Sequence, residues 1–303
     1  MSSILSSPAA SYGKRPPAAI ELTSDGVIAA SIAGKHDDPV FAFEPLRPGI
    51  LMPGISELNM TSPEAVSLAI RNALGTVSPN TRYVTVVIPD TAVRVFVLDF
   101  DTLPTRATEA IPVLRFRLRK MVPFDVEHAG LSYQILTQTK TEARVLVAVL
   151  PSNVLDEYET VVRAAGYEPG SVIPSALAAL ATLDSDQPLL AACLSKVAIT
   201  TSITRGDDLL LYRTLDLPED PEQRLLEVQR SVAVAAAYYE DKVSVLPREL
   251  YFAGNGTATE FERWFGASDL RIIDLAPRAS TGVATSLSNM SIAGLTGALA
   301  GAV

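Results

Sequence analysis

The sequence predicts an α/β protein of two similar lobes around a cleft. Two observations carry this: each half opens with a β-meander, and each then continues through helices to returning strands. The 303-residue length adds a third, because one hydrophobic core rarely grows that large and two domains are the prior.

The opening residues Met1 to Pro17 are rich in Ser, Pro and Ala, lack the basic-then-apolar order of a signal peptide, and read as a mobile tail. Two strand-like runs follow, Ala18 to Leu22 and Val27 to Ile32, joined by Thr23-Ser24-Asp25-Gly26, whose Asp-Gly supplies positive-φ turn chemistry. Lys35 to Ser62 is loop-rich, heavy in Pro and Gly. Ser62-Pro63-Glu64 then opens a helix that Gly75 is expected to stop. Tyr83 to Pro89 reads as a buried strand, and Ala92 to Phe100 alternates as a second one. Ile111 to Val122 reads two ways. Leu114 to Arg119 alternates like a strand, yet Ile111, Leu114, Leu118 and Met121 share a helical face, and the Leu and Arg content favours the helix. Leu131 to Gln138 and Ala143 to Leu150 pair as strands; Pro151 to Ala165 is a helix closed by Gly166, and Pro174 to Leu183 is another. Asp184 to Pro188 is the candidate boundary between halves.

The second half restarts with strands at Leu189 to Leu194, Val197 to Arg205 and Leu209 to Leu215. Pro221 to Val243 is a long amphipathic helix. Arg248 to Ala253 is a strand running into Gly254-Asn255-Gly256, followed by a helix from Thr259, a short strand at Leu270 to Asp274, and a closing helix over Ser286 to Val303. The apolar stretch Ile292 to Val303 is about half the ~20 residues a membrane span needs, so a core helix is expected there.

Composition excludes several classes. A net charge of −9 disfavours nonspecific nucleic-acid binding. One cysteine, Cys193, rules out a disulfide framework and a Cys-based zinc site; it reads as a small buried hydrophobe. Only His36 and His128 are available for a triad or metal cluster. Arg115, Arg117, Arg119 and Lys120 form a basic cluster, read either as a solvated helix face or as a contact for anionic lipid or an acidic partner.

The element order matches the actin-like ATPase fold, and particular residues narrow the likeness. Val87-Ile88-Pro89, Val93-Arg94-Val95 and Leu103-Pro104 precede Val122-Pro123-Phe124-Asp125-Val126 and Leu131-Ser132-Tyr133-Gln134. With Gly166-Tyr167-Glu168-Pro169 and the stretch from Leu225 to Tyr239, these resemble the PilM family of type IV pilus assembly proteins over roughly residues 18 to 303. The resemblance implies a two-lobed actin-like (ribonuclease H-like, duplicated) fold with a small inserted α+β subdomain. The first lobe would span 18–188 with the insert at about 93–150; the second would span 189–303, its last helix returning to the first lobe. It also implies a scaffold that works at the cytoplasmic face of the inner membrane, peripheral through its partners. Those partners would be the N-terminal peptide of a PilN-like membrane protein and, further off, pilus motor ATPases. A GspL-like secretion platform, or an active actin-like ATPase or sugar kinase, are the alternatives.

Such folds hold phosphates between two β-hairpins with Asp residues organising Mg²⁺, and pack adenosine on a later Gly-rich turn. The resemblance places Glu21, Thr23 and Ser24 at the first hairpin, where Glu replaces Asp and Thr replaces Gly. Ser195 and Lys196 stand at the second, where Cys193 replaces the second Asp. Lys196 reads as a phosphate contact or a solvated lysine. Gly254, Asn255 and Gly256 make the adenosine-type turn. No catalytic residue and no metal ligand is assigned, ATP with Mg²⁺ stays an open cofactor, and hydrolysis is expected to be slow or nil.

Overall fold

The computed structural model describes residues 15–32, 38–276, 290–300 and 302. Most of the mobile-tail reading, with His36 and the start of the closing helix, lies outside them. Residues 15–17, given to that tail, pack instead: the Pro17 carbonyl accepts from the Ile32 N–H, and Arg15 donates to the Gly297 carbonyl.

The first sheet begins with β1 (Ala18–Thr23), β2 (Gly26–Ser31) and β3 (Val40–Pro45) as an antiparallel meander. Helix α1 (Pro63–Val77) leads to β4 (Tyr83–Ile88), which lies parallel to β1. The chain then leaves for a small unit built of β5 (Arg94–Phe100), α2 (Ala107–Leu118), β6 (Gly130–Gln138) and β7 (Ala143–Leu150). It returns through α3 (Ser152–Ala164) to β8 (Glu168–Pro174), parallel to β4, and on to the short α4 (Ser175–Ala179). The first sheet therefore has the order β3-β2-β1-β4-β8.

The second half repeats this plan. Strands β9 (Leu189–Leu194), β10 (Ala198–Arg205) and β11 (Asp208–Asp216) form the meander, α5 (Pro221–Val243) crosses over, and β12 (Glu249–Gly254) runs parallel to β9. Helix α6 (Ala258–Phe265) and strand β13 (Arg271–Asp274) complete the order β11-β10-β9-β12-β13. The final helix, α7 (Ala293–Ala300), crosses back to the first sheet. There Leu295, Ala298 and Leu299 pack among Ala19, Ile28, Ala30, Val87 and Ala178. No helix among the described residues is long and apolar enough to cross a membrane.

Several expectations are corrected. Helix α1 passes through Gly75 and ends at Val77, where Ser78 takes the left-handed conformation at φ +45°. Gly75 has no neighbour within 4 Å of a prospective Cβ and costs the helix only propensity. The loop-rich stretch contains β3, and the expected helix from Pro174 is preceded by an unforeseen strand, β8, and shrinks to α4 with one 3₁₀ turn. The ambiguous segment is helical. Ala110, Leu114 and Leu118 fill the core of the small unit against Val145, Val147 and Val149 of β7, and that burial outweighs the alternation of Arg and Leu/Phe.

The seam between the lobes is made of small residues. Ala176 and Ala179 of the first half meet Ala191, Ala253 and Tyr212 of the second, together with Leu275 and Ala293. At its side, β11 packs on β5, and Arg94 and Arg144 reach Asp216 and Asp208 at 3.6 Å each.

Candidate functional site

Parallel strands in such sheets present their carboxyl ends to one crevice. Here those ends supply Glu21 and Thr23 from β1, Asp90 after β4 and Ser175 after β8. From the other lobe come Cys193 and Ser195 at β9 and Gly254 with Asn255 at β12. They meet around one cavity of about 100 Å³, roofed by Ser291, Ala293 and Gly294 at the start of α7. Of the residues expected at the site, Glu21, Thr23, Ser24, Ser195, Lys196, Gly254 and Asn255 all line it. Gly256 stands just beyond, at φ +83°, where its positive φ serves the turn into α6. Beside it lies a second hollow of about 280 Å³, sharing Ser195, Lys196 and Asn255 and walled by Pro221, Arg224, Phe261 and Trp264.

The two hairpin turns close on themselves in the same way. In the first, the Thr23 hydroxyl accepts from the Asp25 and Gly26 N–H groups at 3.3 and 3.2 Å and donates to the Gly26 carbonyl. In the second, the Ser195 hydroxyl accepts from Val197 and Ala198 N–H at 3.3 and 3.0 Å and donates to the Ala198 carbonyl. Serine and threonine make such turns because the hydroxyl reaches backbone amides two and three residues on. The consequence is chemical: these amides, which in an anion-binding turn point at the ligand, already have their acceptor.

The turn tips are joined across the mouth by an ion pair between Lys196 Nζ and Asp25. Arg224, in the first turn of α5, donates to the carbonyls of Ser195 and Lys196 and fixes the second tip from behind. Lys196 therefore lines the cavity mouth with its charge already paired to Asp25. Its side chain is 59% exposed, so water screens the pair. Lys196→Ala is expected to cost only about 0.5 kcal/mol in denaturant unfolding, within the range of surface pairs. A loss several times larger would show the pair to be a structural clamp.

Below the tips, Glu21 is buried, with Ser175 Oγ donating to one carboxylate oxygen while the other, Oε2, accepts no well-formed hydrogen bond among the described residues. A Cβ on Gly294 would stand 2.8 Å from that oxygen, so glycine lets α7 cover it. Burial pushes the Glu21 carboxyl up to about 7 against the Ser175 hydrogen bond, with the neighbouring Asp90 charge adding to the rise and the Leu295 N–H opposing it. Asp90 is pushed up to about 6 by burial, opposed by hydrogen bonds from Tyr212 OH and the Ala176 N–H. Burial likewise pushes the Cys193 thiol up, and the Asp90 and Glu21 charges add to it. Cys193 is thus inert where a second carboxylate was sought. Asp90, Ser175 and Tyr212 were not among the expected site residues; they come from three separate segments, and only the position of Asp90 just past a buried strand signalled it.

Gly254 serves packing. A Cβ there would meet the Phe252 ring at 2.6 Å and the Leu194 carbonyl at 2.9 Å, so its absence lets β12 close on β9.

No protein-family model matches the chain, and no curated protein does. Among solved structures, a chain of the PilM-PilN type IV pilus biogenesis complex matches over 96% of this chain and 100% of its own, with 18% identity and a TM-score of 0.75. A protein from Bacteroides thetaiotaomicron, described as having an actin-like ATPase fold and unknown function, matches over 94% and 96%, with 12% identity and a TM-score of 0.50. The chain has the actin-like ATPase fold. The cytoplasmic domain of EpsL from the type II secretion system of Vibrio cholerae matches over 78% and 81% at 12% identity, and its TM-score of 0.49 is too low to bear on function. Within the actin-like frame, the cavity described above lies between the two duplicated sheets.

Proposed function

We propose that this actin-like chain is a scaffold of a type IV pilus assembly platform, holding the N-terminal peptide of a PilN-like membrane protein. It would work at the cytoplasmic face of the membrane, with the groove for the peptide bordered by the unit from Arg94 to Leu150. The observation that carries this reading is the end-to-end likeness to a chain of the PilM-PilN complex, including the small unit between β4 and α3. Motor ATPases are further partners on the same reading.

We also infer that the scaffold does not work nucleotide. Mg-ATP would need open amides for its phosphates and carboxylates for its metal. Thr23 and Ser195 occupy the amides of Asp25, Gly26, Val197 and Ala198, Cys193 stands at the second carboxylate position, and α7 and Ser175 cover Glu21. The cavity of about 100 Å³ compares with roughly 300 Å³ at the small end of ligand pockets. These residues do not fit the group. The adjoining hollow of about 280 Å³ is nearer nucleoside size, but the Arg224 guanidinium on its wall is committed to backbone carbonyls.

Calorimetric titration of the full chain with a synthetic peptide tests the first claim. The peptide is the cytoplasmic N-terminus of the PilN-like protein encoded in the same genome. Saturable binding with a Kd of about micromolar order, unchanged by Mg-ATP, is expected. Absence of binding at high peptide concentration removes the scaffold reading, and binding that requires nucleotide removes the second inference.

A further inference from the structure

Helix α2 seals the core of the small unit with one face and offers an unusual second face to solvent. Ala110, Leu114 and Leu118 point inward. At 100° per residue, Pro112 and Phe116 fall on the opposite side, with Val113 and then Arg117 turned toward one flank, and Arg119 and Lys120 follow directly at the end of the helix. Phe116 is 73% exposed and Val113 37%; Met121, just past the helix, is 39% exposed. For a single large aromatic to stand this far out of a helix with a well-filled core behind it, packing inside the chain gives no reason.

The charge of the same face is out of character for the chain. The whole sequence carries 25 Lys and Arg against 34 Asp and Glu, yet Arg106 to Lys120 holds five cations and one carboxylate. That carboxylate, Glu109, lies 3.7 Å from Arg106, and Arg119 pairs with Glu127 at 2.6 Å. Arg117 and Lys120 make no ion pair among the described residues. Arg115 is half-buried and donates to the Ala129 carbonyl, so it does not belong to the outer face. His128, held by Asp125 at 2.7 Å, lies on the following loop.

We propose that the outer face of α2 docks on an anionic lipid bilayer, with Phe116 and Val113 seated among the headgroups and Arg117 and Lys120, the cations without an ion pair among the described residues, on lipid phosphates. A helix lying in the membrane interface needs apolar side chains on a convex crest with cations to either side, and Lys and Arg reach outward to phosphate along flexible stems. An acidic peptide would instead call for a groove or a free strand edge. A single short apolar crest gives weak, reversible binding, so this contact orients a scaffold held at the membrane by other means. It stands on α2 alone, and a failed peptide titration leaves it untouched.

The test is co-sedimentation of the full chain with vesicles of equal parts phosphatidylglycerol and phosphatidylcholine, against vesicles of phosphatidylcholine alone. Binding to the anionic vesicles only, reversed by high salt, is expected. Phe116→Ala and the pair Arg117→Gln with Lys120→Gln are each expected to lower the partition coefficient by about tenfold, with melting unchanged because all three side chains are exposed. The proposal is overturned by binding to neither vesicle, by equal binding to both, or by indifference to these substitutions. Binding of a poly-glutamate peptide but not of vesicles would also overturn it and assign the face to an acidic protein.

Discussion

Gly297→Ala is expected to destabilise the protein by about 3 kcal/mol, at the upper end of overpacking losses, although alanine is the better helix former. The added Cβ would stand 1.9 Å from the Ala178 carbonyl oxygen and 2.7 Å from its carbon. Both are backbone atoms of α4, and no rotamer change can move them. Ala176 and Ala179 on α4 are buried in the seam between the lobes, so α4 cannot retreat and α7 must lift. Lifting α7 also uncovers Glu21 at Gly294. The same substitution at Gly75 is the control. That residue lies mid-helix in α1 with nothing within 4 Å of its Cβ, and Gly75→Ala is expected to stabilise by about 0.5–1 kcal/mol. Denaturant midpoints read both, and two shifts of like sign would contradict the placement of α7.

Glu21→Gln is expected to change how stability depends on pH. In the folded state the Glu21 carboxyl is raised from 4.5 to about 7. The folded protein therefore keeps this proton over a range in which the unfolded chain has lost it. Its contribution is fully present below about pH 4.5, falls as pH rises, and is gone above about pH 7. The difference corresponds to about 3 kcal/mol of stability lost between those limits. Asp90, raised from 3.8 to about 6, acts in the same direction over a lower window. Glutamine keeps the shape and the Ser175 hydrogen bond without a charge to bury. The variant should match the wild type near pH 4 and exceed it by up to about 3 kcal/mol at pH 8. Urea unfolding at the two pH values measures this. Equal pH slopes in the two proteins would show that Glu21 is not sealed from water.

Where the sequence was legible, it was because a local device fixed the structure. Asp25-Gly26 at the first turn and the alternation on either side determine β1 and β2 within a few residues. Asp220 before Pro221, followed by apolar residues at helical spacing, determines the start of α5, and Asp220 does accept from the Gln223 N–H. The two strands that escaped notice, β3 and β8, are the two edges of the first sheet. Edge strands tolerate proline, and Pro45 in one and Pro169 with Pro174 in the other imitate loops. Gly75 misled for a related reason: a glycine is weak evidence for a helix end when Ser78 can take the left-handed turn instead.

The site was legible only in part. Glu21, Thr23, Ser24, Ser195 and Lys196 come from the resemblance, which sets Glu21-Leu22-Thr23-Ser24 and Cys193-Leu194-Ser195 on the two hairpins, and all five line the cavity. Asp90, Ser175 and Tyr212 share no spacing that a linear reading could detect, because they are brought together by parallel strands and by the approach of β11. The turn-closing role of Thr23 and Ser195 was within reach. Hydroxyl residues that begin a tight turn accept from amides two and three residues on, a role that the replacement of Gly by Thr at position 23 does not by itself announce.

Calorimetric titration of the purified chain with Mg-ATP, with ADP as a second ligand, bears most directly on the proposal that this actin-like chain is a scaffold that does not work nucleotide. Filled hairpin turns, a covered Glu21 and a cavity of about 100 Å³ lead to one expected result, the absence of saturable heat at millimolar nucleotide. A saturable isotherm would contradict it, and would mean that the lobes part, the Lys196–Asp25 pair opens, and Thr23 and Ser195 yield their amides to phosphate.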